Sequence, residues 1–236
     1  MFDIFERKVS EMKIKINKSV AVGEIKAPPS KSYAHRLLIG AALANGASKI
    51  DGIIDSDDMR ATLSCISSLG VKYEKRGEEV SFFGGELTKT HRVFSANESG
   101  STLRFFIPIA LALGDSATFI GTERLISRGI EVYEEIFEKQ GITVKKSKTK
   151  IELNGRLRAD TFYVRGNVSS QFISGLIFAL PLLDGDSKIV ITTELESESY
   201  VDITIDAVNQ LGIEITRKEN EIFVKGNQKY TPKNLS

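Results

Sequence analysis

The chain is 236 residues long, 41% hydrophobic and 27% charged, enough to bury a core in one large or two modest domains. Its 32 Lys and Arg against 31 Asp and Glu leave a formal net charge of +1, which speaks against a nucleic-acid or anionic-membrane partner, so any anion site must be local. Cys65 alone excludes an intrachain disulfide, and with only His35 and His91 there is no ligand cluster at zinc-like spacing; no cofactor is expected, and a reducing cytoplasm suits the composition.

Residues 1–11 mix Asp3, Glu6, Arg7 and Lys8 with apolar residues and lack the compact apolar core of a signal peptide; Met12 is a second candidate start. A strand near 20–25 then leads to an apolar helix at 31–44, a strand at 49–54, an amphipathic helix at 57–69 and two strands at 71–75 and 79–83. This βαβαββ order returns twice. The second copy places strands at 90–96, 116–121, 142–146 and 150–153, and the third at 160–164, 187–193, 213–216 and 221–224. Gly70, Gly141 and Gly212 fix the frame: they stand at the same 71-residue interval, each closing a helical pattern ahead of a β-branched residue.

The first helix of each unit, at 37–43, 105–113 and 172–180, is apolar on nearly every side, which means burial on nearly every side. The second helices, such as 131–140, carry charge on one face. Three central helices, with sheets and amphipathic helices outside, follow from this pattern. Pro108 lies inside one central helix, where it removes a backbone hydrogen bond and predicts a kink or a later start. The most apolar stretch, 172–183, is interrupted by Ser174 and Gly175 and falls short of the roughly 20 residues a membrane span needs.

Ser32, Ser101 and Ser170 recur at a 69-residue interval at the starts of the central helices, within Ser30-Lys31-Ser32, Ser99-Gly100-Ser101-Thr102 and Ser169-Ser170-Gln171. If threefold packing gathers those helices, their unpaired N–H groups and positive dipole ends face one place, a ready site for phosphate or carboxylate. Any one of these serines alone is most simply a cap. The cations argue for more. Lys31 and Arg104 lie in first turns, where a positive charge opposes the dipole by roughly 0.3–1 kcal/mol unless an anion is present, and Arg36, four residues after Ser32, shares its helix face. The run Asp55, Ser56, Asp57, Asp58 reads as capping and dipole compensation, His35 as a helix-face residue, and Cys65 as buried and inert.

On these residues the sequence resembles the 5-enolpyruvylshikimate-3-phosphate synthase family of enolpyruvyl transferases, from about residue 26 to 230. The resemblance is carried by Pro29-Ser30-Lys31-Ser32 with Arg36, by Ser99-Gly100-Ser101-Thr102-Leu103-Arg104, by Val168-Ser169-Ser170-Gln171-Phe172, and by Ser197 with Tyr200-Val201-Asp202-Ile203-Thr204. It implies an α/β fold, a threefold βαβαββ repeat with central buried helices, as one of two similar domains with substrates bound in the cleft between them. It also implies transfer of the enolpyruvyl group from phosphoenolpyruvate to the 5-hydroxyl of shikimate-3-phosphate, with release of phosphate and no metal. Ser32 and Arg36 would hold the shikimate carboxylate; Ser169, Ser170 and Ser197 would bind its 3-phosphate, with Tyr200 alongside. Gln171 would meet the substrate hydroxyls and the enolpyruvyl group. Lys31 would lie between the substrates as a charge and proton-transfer partner, and Gly100 and Arg128 would contact phosphoenolpyruvate, with Arg124 and Arg104 as supporting or structural cations.

The resemblance further assigns 1–19, with a strand near 13–17, to a second domain, 20–230 to the three-repeat domain, and 231–236 to a crossover cut short. The expected partners are then the two substrates and that second domain, and the expected state is a monomer, inactive alone. Two rivals stand beside this reading. The related transferase acting on UDP-N-acetylglucosamine commonly carries a Cys in the second-unit loop, and 122–129 has none; the serine pair with Ser197 and Tyr200 also favours a small phosphorylated acid over a nucleotide sugar. The rival of another class is a non-catalytic anion-binding domain.

Overall fold

Three serines set the entry of the most apolar helices. Ser30, Ser99 and Ser169 are extended N-cap residues whose hydroxyls accept hydrogen bonds from the first-turn N–H groups of Tyr33, Thr102 and Gln171. The computed structural model describes residues 20, 22–25, 27–85, 87 and 92–236, so the strand expected near 13–17 and His91 lie outside the described residues.

The first unit holds α1 (Lys31–Leu43), β1 (Ser48–Ile50), α2 (Asp57–Ser68), β2 (Tyr73–Arg76) and β3 (Glu79–Phe82). The second holds β4 (Arg92–Asn97), α3 (Gly100–Leu113), β5 (Ser116–Gly121), α4 (Glu123–Ser127), α5 (Glu131–Gln140), β6 (Thr143–Lys146) and β7 (Lys150–Asn154). The third holds β8 (Thr161–Val164), α6 (Ser170–Ala179), β9 (Ser187–Ile191), α7 (Glu198–Gln210), β10 (Ile215–Lys218) and β11 (Glu221–Val224), and β12 (Asn234–Leu235) follows. Gly70, Gly141 and Gly212 have the left-handed backbone, φ 86°, 70° and 83°, that ends a helix at low cost only for glycine.

Two sheets repeat one order, β4-β5-β7-β6 and β8-β9-β11-β10, with the first pair of strands parallel and the rest antiparallel. The remaining sheet has the same order with one replacement, β12-β1-β3-β2. The strand expected at 20–25 is not formed at the described residues there, and Val20, Val22 and Ile25 are exposed. In its place β12 runs parallel to β1, with Lys49 opposite Asn234 and Ile50 opposite Leu235. Residues 231–236, expected as a crossover, thus cover the open edge of β1, whose backbone groups need partners. The strand expected at 49–54 stops at Ile50, two residues before Gly52 turns the chain with φ 76°.

Helices α1, α3 and α6 are buried along almost their whole length, as the apolar pattern requires. The outer helix of each unit is handed on to the next. α2 lies on β4, where Ser68 Oγ donates to Val93 O at 2.8 Å; α5 meets β8, with Arg165 paired to Glu135 at 2.7 Å; α7 packs on α1. This cyclic exchange closes the three units around one core and turns the N-termini of the central helices to one end. Among the described residues no helix is long and apolar enough to cross a membrane.

α3 runs through Pro108 without a break. Pro108 has no N–H for the Arg104 carbonyl, and the Tyr133 hydroxyl of α5 donates to it instead at 2.7 Å, lying also 3.0 Å from Phe172 O of α6. Gly175 makes room for this arrangement: a Cβ there would come within 2.2 Å of Tyr133 Oη and 2.4 Å of Arg104 O. Tyr133→Phe should therefore leave a buried carbonyl short of a donor and lower unfolding free energy by about 1–3 kcal/mol in urea titration. An unchanged midpoint and slope would show that the hydroxyl does not serve Arg104.

Candidate functional site

Because Ser30, Ser99 and Ser169 take the capping bonds, Ser32, Ser101 and Ser170 are free of that duty. They border one cavity of about 280 Å³ at the helix N-termini, together with Lys31, His35, Arg36, Asp58, Phe105, Ser169, Gln171, Ser197 and Tyr200. Ser169 serves both as cap and as wall. Ser197 differs from the caps. It stands at the N-cap of α7 but makes no capping bond, and its φ of 59° and ψ of 45° are left-handed, a costly backbone for a residue with a side chain. Its hydroxyl is thereby left to the cavity.

Arg36 is 3% exposed. Nε donates to Thr204 Oγ1 at 2.6 Å, Nη1 to Ser32 O at 2.7 Å, and Nη2 to Tyr200 O at 2.9 Å and Ser174 Oγ at 3.4 Å. These account for four of its five N–H groups, leaving one on Nη1. The guanidinium lies 5.3 Å from the Phe105 ring centroid and 5.9 Å from that of Tyr200. Every acceptor is neutral, and burial pulls the Arg36 pKa down to about 10. Arg104 repeats the pattern: Nη1 donates to Gln171 Oε1 at 2.7 Å, Nη2 reaches Arg128 O and Gly129 O at 3.5 and 3.4 Å, and the guanidinium lies 4.8 Å from the Phe172 ring centroid. Burial, with Arg128 nearby, lowers its pKa too. Neither arginine is in an ion pair among the described residues.

Gln171 is held from two sides. While its Oε1 accepts from Arg104, its Nε2 donates to Ser101 Oγ at 3.0 Å, so the amide is fixed across α3 and α6. Lys31 is joined to Asp58 at 2.6 Å. Asp58, read from the sequence as a capping residue, is thus a wall of the cavity. Burial pushes its carboxyl up, but hydrogen bonds from Lys31 and Ser99 outweigh that and hold its pKa below the usual carboxylate range. Capping of α2 falls to Ser56.

Gly100 and Arg128 lie together beside the cavity, outside its wall. A Cβ on Gly100 would stand 2.8 Å from Arg128 Nη1 and 3.1 Å from Cζ. Arg124 is exposed on α4 and does not border the cavity. His35, expected on a helix face, is 3% exposed and borders the cavity. Cys65 is fully buried, and burial pushes its thiol pKa up, as an inert cysteine requires.

Three repeated α/β units, each with a four-stranded sheet of the same order, whose buried helices aim their N-termini at one cation-bearing cavity define the class first, a domain of the enolpyruvyl transferase fold. EPSP synthase from Acinetobacter baumannii has the same fold with a TM-score of 0.75, covering 90% of this chain and 48% of that one at 20% identity. The enolpyruvyl transferase NikO from Streptomyces tendae follows at 0.63, covering 87% and 49% at 11% identity. In sequence, residues 16–236 match the family described as EPSP synthase (3-phosphoshikimate 1-carboxyvinyltransferase). Proteins named 3-phosphoshikimate 1-carboxyvinyltransferase are 49% identical over 231 residues in Clostridium novyi (strain NT) and 42% identical over 231 residues in Clostridioides difficile (strain 630). The chain belongs to the EPSP synthase family. It spans about half the length of the curated relatives it matches: each alignment covers 92% of this chain and 53% of the relative.

His35 supplies a pH test of this geometry. Burial lowers its pKa to about 4 from the ordinary 6.5; Asp58 opposes the shift, and Arg36 and Lys31 add to it. A folded pKa below the unfolded one gives stability that is complete above pH 6.5 and is lost as pH falls through about 4, worth about 3 kcal/mol. Unfolding free energies of the chain and of His35→Gln, measured from pH 7 to 4, should converge by that amount. Parallel curves would mean that folding does not lower the His35 pKa.

Proposed function

We propose that this chain carries the shikimate-3-phosphate half of an enolpyruvyl transferase site. The single observation that supports it most is the burial of Arg36, hydrogen-bonded to neutral acceptors only, in the wall of a cavity bordered by serines. A buried guanidinium without a carboxylate is costly, and a bound carboxylate or phosphate would supply the missing charge. In this reading Ser32 and the remaining N–H of Arg36 take the shikimate carboxylate. Ser169, Ser170 and Ser197 take the 3-phosphate, with Tyr200 alongside. Gln171, fixed by Arg104 and Ser101, meets the hydroxyls and the enolpyruvyl group, and Gly100 and Arg128 with Lys31 meet phosphoenolpyruvate.

The chemistry needs several anions brought together and one alcohol made nucleophilic. The 5-hydroxyl oxygen bonds to C2 of phosphoenolpyruvate while C3 takes a proton; the C2–O bond to phosphate then breaks, phosphate leaves, and a C3 proton is lost to restore the double bond. Lys31 serves at the 5-hydroxyl, and Asp58 holds its ammonium in place. Preorganised cations and helix dipoles lower the cost of the charge gathered there.

The three-repeat domain in this proposal extends through β12, and turnover also needs the part of the relatives that this chain does not span. The setting is a cytoplasmic monomer. Shikimate-3-phosphate should shift the amides of Ser170 and Gln171, and UDP-N-acetylglucosamine should not. Combining Arg36→Ala with Ser170→Ala should weaken that affinity about 100-fold or more, since two charge-assisted contacts at about 1.5–3 kcal/mol each are lost. Affinity unchanged in the double variant would refute the assignment. Phosphate release from both substrates should be negligible with the chain alone and appear when a separately produced second half is added, and Lys31→Met should abolish it while leaving the fold intact. Robust turnover by the chain alone would sink the two-half reading, and binding without turnover in the presence of the second half would favour a non-catalytic anion-binding domain.

A further inference from the structure

His35 has no role in the assignment above, yet its surroundings fix its chemistry. His35 Nδ1 lies 2.9 Å from Thr62 Oγ1 of α2, Thr62 Oγ1 lies 2.8 Å from Thr102 Oγ1 of α3, and Thr102 Oγ1 donates to Ser99 Oγ at 2.8 Å. A chain of hydroxyls has two self-consistent directions, because each gives its one proton once. Here Thr102 gives its proton to Ser99, so Thr62 must give its own to Thr102. Thr62 then has only lone pairs left for the imidazole, and Nδ1 must carry a hydrogen. The far end favours the same direction. Ser99 Oγ already accepts the Thr102 N–H at 3.3 Å, and the Asp58 carboxylate beside it draws the Ser99 proton outward.

A neutral ring protonated on Nδ1 has a bare lone pair on Nε2. His35 makes its one hydrogen bond among the described residues through Nδ1, and the ring borders the cavity, so Nε2 is the atom left to it. We propose that His35 is a fixed hydrogen-bond acceptor of the site, protonated on Nδ1 and offering Nε2 to an alcohol group of a hydroxylated anionic ligand. The other groups that face it from the elements around it are Lys31, Arg36 and Asp58, and Asp58 is engaged by Lys31. An acceptor set among donors takes an O–H and repels a carboxylate or phosphate oxygen, so it separates a hydroxylated acid from a bare anion. The tautomer stands on the hydroxyl chain alone; the ligand class rests on the reading proposed above.

Ring ¹⁵N spectra of the full chain test both, and with only two histidines His35→Gln assigns the signals. At pH 7 His35 should show a protonated Nδ1 and a pyridine-type Nε2. Shikimate-3-phosphate should move the Nε2 signal in the hydrogen-bonded direction. Sulfate, which has no hydroxyl, should shift the Ser170 and Gln171 amides without moving Nε2. Thr62→Val should erase the tautomer preference. An Nε2–H ring in the unmodified chain overturns the proposal, as does a retained Nδ1–H in folded Thr62→Val, or shikimate-3-phosphate that shifts the amides but not Nε2. If shikimate-3-phosphate shifts nothing, the functional reading falls, and the tautomer of the unmodified chain decides the role of His35 by itself.

Discussion

Positive charge buried without an ion pair is the constraint on which this domain is built. Each of Arg36 and Arg104 gives up hydration worth several kcal/mol and receives in exchange carbonyls, hydroxyls, one amide and aromatic faces. Such partners leave the charge without an ion pair, and Arg104 Nε has no hydrogen-bond partner among the described residues. The arrangement survives because the hydrophobic core around it is large and closed, so the local cost is spread over a stable whole. An electrostatic surplus held rigidly in advance is also what a site for multiply charged ligands needs, since no reorganisation remains for the moment of binding.

The threefold exchange of outer helices explains why that surplus is collected in one place. α2, α5 and α7 each bridge from their own unit to the next, so no unit can rotate without breaking contacts of the others. Arg36 shows the consequence at the level of one side chain: it starts on α1, ends on α6 and α7, and faces a ring of α3. The position of the cavity follows from the packing of all three units.

Much of this was legible in the sequence, and the exceptions have physical causes. The repeat, the buried helices, the glycine helix ends and the gathering of Ser32, Ser101 and Ser170 with Arg36 follow from periodicity and spacing, whereas Gln171 entered only through the family resemblance. The site role of Asp58 was hidden because Asp57 and Asp58 look alike at a helix start, and only the packing of α2 against α1 turns one of them to Lys31. His35 was hidden because its neighbours Thr62 and Thr102 are far away in sequence and ordinary in their own helices. At Pro108 the loss of a backbone hydrogen bond was legible, but the later helix start it offered is not found, since α3 begins at Gly100 and runs through it. The remedy for that loss, a tyrosine hydroxyl from another helix, has no local signature. β12 is two residues long and follows Pro232, so neither length nor alternation announced it.

That short strand has a consequence for how the protein is made. Lys49 waits for Asn234, whereas the other two sheets are each assembled from one continuous stretch of chain. During synthesis the second and third sheets can form as they emerge, while the first remains one strand short until residues 234–235 have followed them. The first sheet is thus closed after the third, by β12 pairing with β1 far back along the chain, and such non-local pairing is slow because the intervening loop must close first.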